Sequence, residues 1–277
     1  VCHWVWGGGW LGEMGLQDFA GGAVVHITAG VAALVAALSL GGRRGFGHTA
    51  MPPHNLTMTV TGAGMLWVGW FGFNGGSAVA ADSSAAMAIL VTHISAAVGA
   101  LTWMLVEWLK TGKPTVVGIA TGMVAGLATI TPASGTVGPQ GALLVGFLAG
   151  FVCFYATQII KGNFKIDDSL DVAAVHGVGG VLGTLMVAFI GVEGTFGGLG
   201  LSVKKTLDDG TEVIYTSGEQ FVVQAQGCLA AIALSVVATY LIVKIISPFL
   251  GGIRVSEEEE TKGLDQSGHG ENGYTLN

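Results

Sequence analysis

The sequence predicts an all-α membrane protein, and three observations carry that prediction. Of the 277 residues, 51% are hydrophobic and 10% charged, whereas a soluble globular domain carries roughly 25% charge. Seven long apolar stretches fill most of the chain, and about 20 such residues cross a bilayer core as a helix. The 47 glycines far exceed the usual ~7% and follow neither a Gly-X-Y period nor a low-complexity run. Small residues let membrane helices approach closely, so the glycines point to a tightly packed helical bundle.

The expected spans are 19–41, 56–80, 83–109, 115–133, 141–160, 171–192 and 219–248. They are too long for barrel strands and lack period-two alternation, so strands are not expected. Basic residues set the orientation. Arg43 and Arg44 follow the first span, Lys110 and Lys113 the third, Lys161 and Lys165 the fifth, and Lys244 and Arg254 the seventh. Simple alternation puts all of them on one side. The other side carries the uncharged TPASGTVGPQ and a loop at 193–218, in which Lys204 and Lys205 are balanced by Asp208, Asp209 and Glu212. The basic loops and the C-terminus are therefore expected in the cytoplasm, with Trp6 outside. The net charge of −7 comes largely from the tail, with Glu257, Glu258, Glu259 and Glu260. Cys2, Cys153 and Cys228 lack metal-ligand spacing and read as small apolar fillers. Val1 falls inside what reads as the end of a membrane segment, VCHWVWGGGWL, so the chain is expected to be a fragment without its N-terminal part.

Two spans share a polar pattern. Asp18 and His26 lie eight residues apart in DFAGGAVVH, as do Asp168 and His176 in DSLDVAAVH. Eight helical residues rise about 12 Å. Against a core of about 30 Å, both histidines fall near the midplane, approached from opposite faces. An inverted-topology repeat with its site at the repeat interface would produce this pattern, and ionisable groups inside a membrane helix commonly mark a pathway. Read singly, a membrane histidine is as readily a helix–helix hydrogen-bonding residue, and that reading suits His93 in ILVTHISAA. Asp18 and Asp168 read as helix-start residues favoured by the dipole. Asp167, Asp168 and Asp171 together could hold a cation, but capping is the preferred role. His48 and His54 are loop residues.

HWVWGGGWL, DFAGGAVVHITAG, PPHNLTMTVTGAGMLWVGWFGFNGGS, DDSLDVAAVHGVGGVLGT and GGIRVSEEEETKGLDQSGHGENGY run in order through the chain. Together they resemble the Amt/Mep/Rh ammonium transporters, bacterial Amt branch. The resemblance implies an eleven-helix inverted-repeat bundle, one pore per subunit of a homotrimer. Here it would supply helices five to eleven, with a membrane transport domain at 1–250 and a cytoplasmic regulatory tail at 251–277. It assigns His26 and His176 as twin pore histidines and Trp6 and Ser77 as the outer recruitment site. Phe73 becomes one of two gate phenylalanines, and Asp18 an acid below the outer vestibule that serves ion binding or local structure. It implies a tail that couples the pores and a PII-type signalling protein that blocks them from the cytoplasmic face. Ser267 matches a phosphorylatable hydroxyl of plant relatives, and phosphate there would meet Asp265 and Glu271 as like charges. The implied location is the cell inner (plasma) membrane.

The chemistry fits these assignments. A Trp face attracts ammonium by about 0.5–1 kcal/mol when exposed, and a serine hydroxyl accepts from it. Phe73 and Ser77, four apart, share a face if the stretch stays helical. Alone, Trp6 reads rather as part of an interfacial aromatic belt. A bare ion crosses hydrocarbon at great cost, so the expected passenger is ammonia, helped by two imidazoles that each offer one donor and one acceptor. Potassium has no proton to give up. Two other functions fit parts of the pattern. One is an ammonium sensor. The other is a bis-histidine haem electron carrier, with Gly21, Gly22, Gly177, Gly179 and Gly180 leaving room for the macrocycle. No dinucleotide loop and no nucleophile–base pair occurs. Neither an enzyme, nor a cofactor, nor a metal, nor a nucleic-acid partner is expected.

Overall fold

The computed structural model describes residues 1–201, 204–206 and 211–274. Two short helices open the chain, α1 (Cys2–Trp6) and α2 (Trp10–Glu13). Seven long apolar helices follow among the described residues: α3 (Gly22–Leu40), α4 (Leu56–Gly75), α5 (Ser83–Thr111), α6 (Val116–Ala133), α7 (Pro139–Asn163), α8 (Ala173–Ile190) and α9 (Ser217–Leu250). A short α10 (Glu257–Lys262) lies in the tail. All seven expected spans are present. Their starts follow local chemistry: Asn55 accepts from Met58 N–H, Asp82 from Ser84 and Ala85, and Thr115 from Gly118. Thr216 with Glu219, and Ser256 with Glu259, form capping boxes.

Two expectations are corrected. The second span was expected to reach residue 80, but α4 ends at Gly75 and the chain turns before Asp82 starts α5. Ser77 therefore lies in the turn, not on the helix. Strands do occur, outside the spans: β1 (Lys204–Thr206) pairs antiparallel with β2 (Glu212–Ile214). Asp208 and Asp209 lie outside the described residues.

Small residues let the bundle close. α5, α6 and α7 pack so tightly that a Cβ on Gly126 would fall on the Ser95 carbonyl, and one on Gly146 would lie 2.6 Å from the same oxygen. The Ser95 hydroxyl donates to Gly126 O at 2.8 Å. Around this seam Trp70, Trp103, Met123, Leu127, Cys153 and Phe154 form a buried core. A second seam joins α3 to α8, where a Cβ on Gly30 would fall on the Gly177 backbone nitrogen.

α3 and α8 run antiparallel, and a charged clasp ties the end of one to the start of the other. Arg43 reaches Asp167 through Nε and Nη2, each at 2.8 Å, and through its backbone N–H at 2.8 Å. The tail folds back over this junction. Arg254 donates to Leu40 O (3.2 Å) and to Glu260 (2.9 Å). Arg44 N–H bonds Glu260 at 2.7 Å, and its guanidinium meets Thr261. Tyr274 takes a hydrogen bond from Asn55 at 2.9 Å beside the start of α4.

The Arg43 guanidinium holds the Asp167 carboxyl below the usual carboxylate range. A group whose folded pKa is depressed stabilises above its unfolded value, and that contribution is lost as pH falls through the folded value. Thermal midpoints of the detergent-solubilised protein should therefore fall on acidification below about pH 4. In Asp167→Asn that part of the fall should disappear, leaving a protein less stable at neutral pH.

Candidate functional site

The site is built from the two antiparallel helices α3 and α8, and each begins on a buried aspartate. Asp18 accepts four backbone N–H groups: Gly21 (2.9 Å) and Gly22 (2.6 Å) on one oxygen, Ala23 (2.8 Å) and Val24 (3.1 Å) on the other. Gly21 at φ 122° makes the turn into the helix, a conformation that favours glycine. Asp168 accepts from Val172 (3.0 Å) and Ala173 (2.8 Å). Both helices then open with wide π-helical turns, Gly22–Ile27 and Ala173–Val178, that carry His26 and His176 respectively.

The two rings meet. His176 Nδ1 lies 3.1 Å from His26 Nδ1, with ring centroids 5.2 Å apart. His26 is buried. Its Nε2 lies 3.1 Å from Thr131 Oγ1 at the end of α6. Aromatic rings wall the pair: Trp70 stacks on His26 at 5.3 Å and on His176 at 6.3 Å. Phe73 stacks on His26 at 5.7 Å. Phe73 also sits in a wide turn, Phe71–Gly75. Such turns are rare and concentrate at functional sites.

The remaining predicted residues attach to this centre from one end. Trp6 is 47% exposed, and its Nε1–H donates to Asp18 O at 2.8 Å. Ser77 Oγ donates to Phe73 O at 2.7 Å, so its hydroxyl proton is engaged and its lone pairs remain free to accept. No hydrogen bond joins Trp6 to Ser77. Ser267 is remote, in the tail, where its hydroxyl donates to Gly263 O at 2.9 Å.

Three alternatives are resolved by geometry. The DDSLD carboxylates do not act together: Asp167 pairs with Arg43, Asp168 caps α8, and Asp171 bonds Lys161 at 2.6 Å. Burial nonetheless raises the Asp171 carboxyl pKa. The haem reading fails, because two nitrogens bonded at 3.1 Å leave no gap for a planar macrocycle. The glycines bring backbones together instead, with a Cβ on Gly180 only 3.0 Å from His26 Cβ. His93 packs between Trp67 (5.1 Å) and Phe71 (6.0 Å), a ring contact and not the hydrogen bond expected of it.

Sequence reasoning missed Trp70, Thr131 and a glutamine pair. Gln220 and Gln224, fully buried on α9, hold the segment before Asp18. Gln220 donates to Gly15 O (3.0 Å) and Gln224 to Gln17 O (2.7 Å), while Gln224 Oε1 accepts from Gln17 N–H (2.9 Å). Two glutamines four apart in an otherwise apolar helix were the available signal. At the Arg43 end a cavity of about 420 Å³ opens, lined by Trp103, Thr121, Phe154, Lys161 and Asp171 among others.

Seven long apolar helices, with a histidine pair between two of them, define a multi-pass helical membrane protein. A model of the Ammonium Transporter Family matches residues 1–274, and the chain belongs to that family. It is 44% identical over 276 residues to an ammonium transporter of Aquifex aeolicus, covering 100% of this chain and 61% of that protein. It is 43% identical to ammonium transporter Amt1 of Archaeoglobus fulgidus, covering 99% and 66%. Among solved structures, one described as "Sensor Amt Protein" superposes with a TM-score of 0.84 at 32% identity, covering 95% of this chain and 64% of its own. Candida albicans Mep2 superposes with a TM-score of 0.80 at 37% identity, covering 96% and 59%. The chain thus spans less than two thirds of the length of these relatives.

Asp18→Ala would leave four N–H groups without their acceptor. Unsatisfied buried donors cost about 1–3 kcal/mol each before relaxation, so a loss of about 3 kcal/mol or more is expected in thermal unfolding. Asp18→Asn, which keeps one carbonyl oxygen, should lose less.

Proposed function

We propose that the chain carries the conducting and C-terminal part of an ammonium transporter. Ammonium is recruited at Trp6 and Ser77 and, near Phe73, gives up its proton to the water of the outer side. Ammonia then passes His26 and His176 and leaves through the cavity beside Asp171. The observation that carries this reading is the 3.1 Å contact between two imidazoles delivered by antiparallel helices, walled by Trp70 and Phe73.

The chemistry supports each stage. With its proton engaged on Phe73 O, Ser77 presents an acceptor to an N–H donor. The Trp6 ring is fixed by its bond to Asp18 O, so its face is available for a cation–π contact. The Asp18 carboxylate, engaged by four backbone donors, acts as a structural charge at a helix start rather than as a direct ligand. Past Phe73, a charge would have to shed its water in apolar surroundings, which selects the neutral species. Potassium is excluded because it cannot be neutralised by losing a proton.

In this reading the Arg43 end and the tail face the cytoplasm of the inner (plasma) membrane. Residues 251–277 form a regulatory tail bearing Ser267. The subunits assemble as a homotrimer that a PII-type protein caps.

Uptake of labelled methylammonium by a transport-deficient host carrying the full-length protein tests the proposal. Replacing His26 and His176 together by Ala should cut uptake about fivefold or more, as the one hydrogen bond of about 1 kcal/mol that the pair offers ammonia is lost at the barrier. Substrate binding without uptake by the unaltered protein would favour a sensor instead.

A further inference from the structure

We infer that Thr131 fixes which nitrogens of the imidazole pair carry protons, and so gives the pair a direction. The argument is a count of donors and acceptors around one hydroxyl. Thr131 Oγ1 has one proton and two lone pairs. Three groups touch it: Leu127 O at 2.8 Å, Trp70 Nε1 at 3.0 Å and His26 Nε2 at 3.1 Å. The indole N–H can only donate, so it occupies one lone pair. The carbonyl can only accept, so it takes the proton. One lone pair is left for His26, and His26 must therefore bring a proton on Nε2. The reverse arrangement, with the hydroxyl donating to His26, would press two bare oxygens together at the Leu127 contact.

The assignment propagates. A neutral His26 with its proton on Nε2 has a bare Nδ1. The Nδ1–Nδ1 contact of 3.1 Å needs one proton, and His176 must supply it. His176 is then bare at Nε2, which has no hydrogen-bond partner among the described residues. Both nitrogens of His26 are engaged, and the pair presents a single vacant acceptor, on His176. A proton arriving from the Phe73 side finds no free lone pair on His26 unless both tautomers reverse. Thr131 is a positioning residue: it acts through His26. The tautomer assignment stands on geometry alone. Its consequence for conduction, that ammonia meets one acceptor and no ready proton wire, rests on the function proposed above.

Nitrogen NMR of the full-length protein in lipid bilayers, with ¹⁵N-labelled histidine, reads the protons directly. The His26 signals are identified by their loss in His26→Asn. The expected unaltered spectrum has His26 protonated at Nε2 and bare at Nδ1, with His176 the opposite. Thr131→Val removes the acceptor and keeps the shape, and should turn the single pattern into a mixture of both tautomers. Thr131→Ser should restore the single pattern. A bare Nε2 on His26 in the unaltered protein overturns the inference, as does a Val variant with an unchanged spectrum. The unaltered spectrum decides even if the Val variant does not fold. If the pattern is as expected but the protein takes up no methylammonium, conduction fails and the Thr131 assignment stands.

Discussion

The crossing of α3 over α8 is the constraint on which the rest depends. At Gly30 and Gly177 the two backbones are in contact, with no room for a side chain on Gly30. At Gly180 the α8 backbone lies against His26 itself. Imidazole rings are short. They can share a hydrogen bond from separate helices only if the helix axes come closer than ordinary side chains allow, which small residues permit. The 3.1 Å contact is thus a consequence of backbone packing as much as of the histidines. The wide turns that hold both rings add to this. An extra residue in the turn rotates the side chains relative to a regular helix, so that groups eight residues from each aspartate face one another.

A polar interior in a membrane protein survives only if each group finds a partner, because no water replaces a missing one. Around the histidines this bundle meets much of the demand with few residues, while Asn74 Oδ1, Thr129 Oγ1 and Gln220 Oε1 are left without a partner. Asp18 satisfies the start of α3, and the peptide segment ahead of it is held by Gln220 and Gln224. Thr131 joins α6 to the indole of α4 and the imidazole of α3. At the other end, Arg43 and Asp167 close the junction of α3 with α8, and the tail caps it. The arrangement is fixed at both ends and at its centre. On the function proposed above, rigidity of this kind would hold the conduction path in shape without a ligand to define it.

How much of this was legible follows from what sequence patterns record. The seven spans could be read because apolar length is a one-dimensional property. Four of their starts are marked by local capping at Asn55, Asp82, Thr115 and Thr216, a signal that apolar length alone does not use. The histidine pair could be read because Asp18–His26 and Asp168–His176 repeat one spacing. The end of α4 was missed because apolarity continues through the turn, and only Asp82 marks the restart. Trp70 and Thr131 were missed for another reason. Their roles depend on three helices meeting at one point, and no spacing within a single helix encodes that. The wide turns were equally invisible, since GAVVHI, FGFNG and AAVHGV have nothing in common that sets them apart from regular helix.

The same geometry bears on how a path can favour ammonia over its ion on the reading proposed here. A channel that coordinates a cation must surround it with acceptors, because an ion stripped of water needs several at once. This centre is built the other way. Much of its acceptor capacity is consumed internally: Asp18 by backbone N–H groups, Thr131 by Trp70 and His26. Beyond Phe73 the walls are aromatic, and the imidazoles bond each other. A species with a full charge finds nothing there to replace its hydration. A small neutral hydride loses far less, since one hydrogen bond with the vacant imidazole acceptor offsets part of what it leaves behind in water. Selectivity then lies in how few vacant acceptors the centre offers, and the bonds that hold the histidines in place are the same bonds that leave so few.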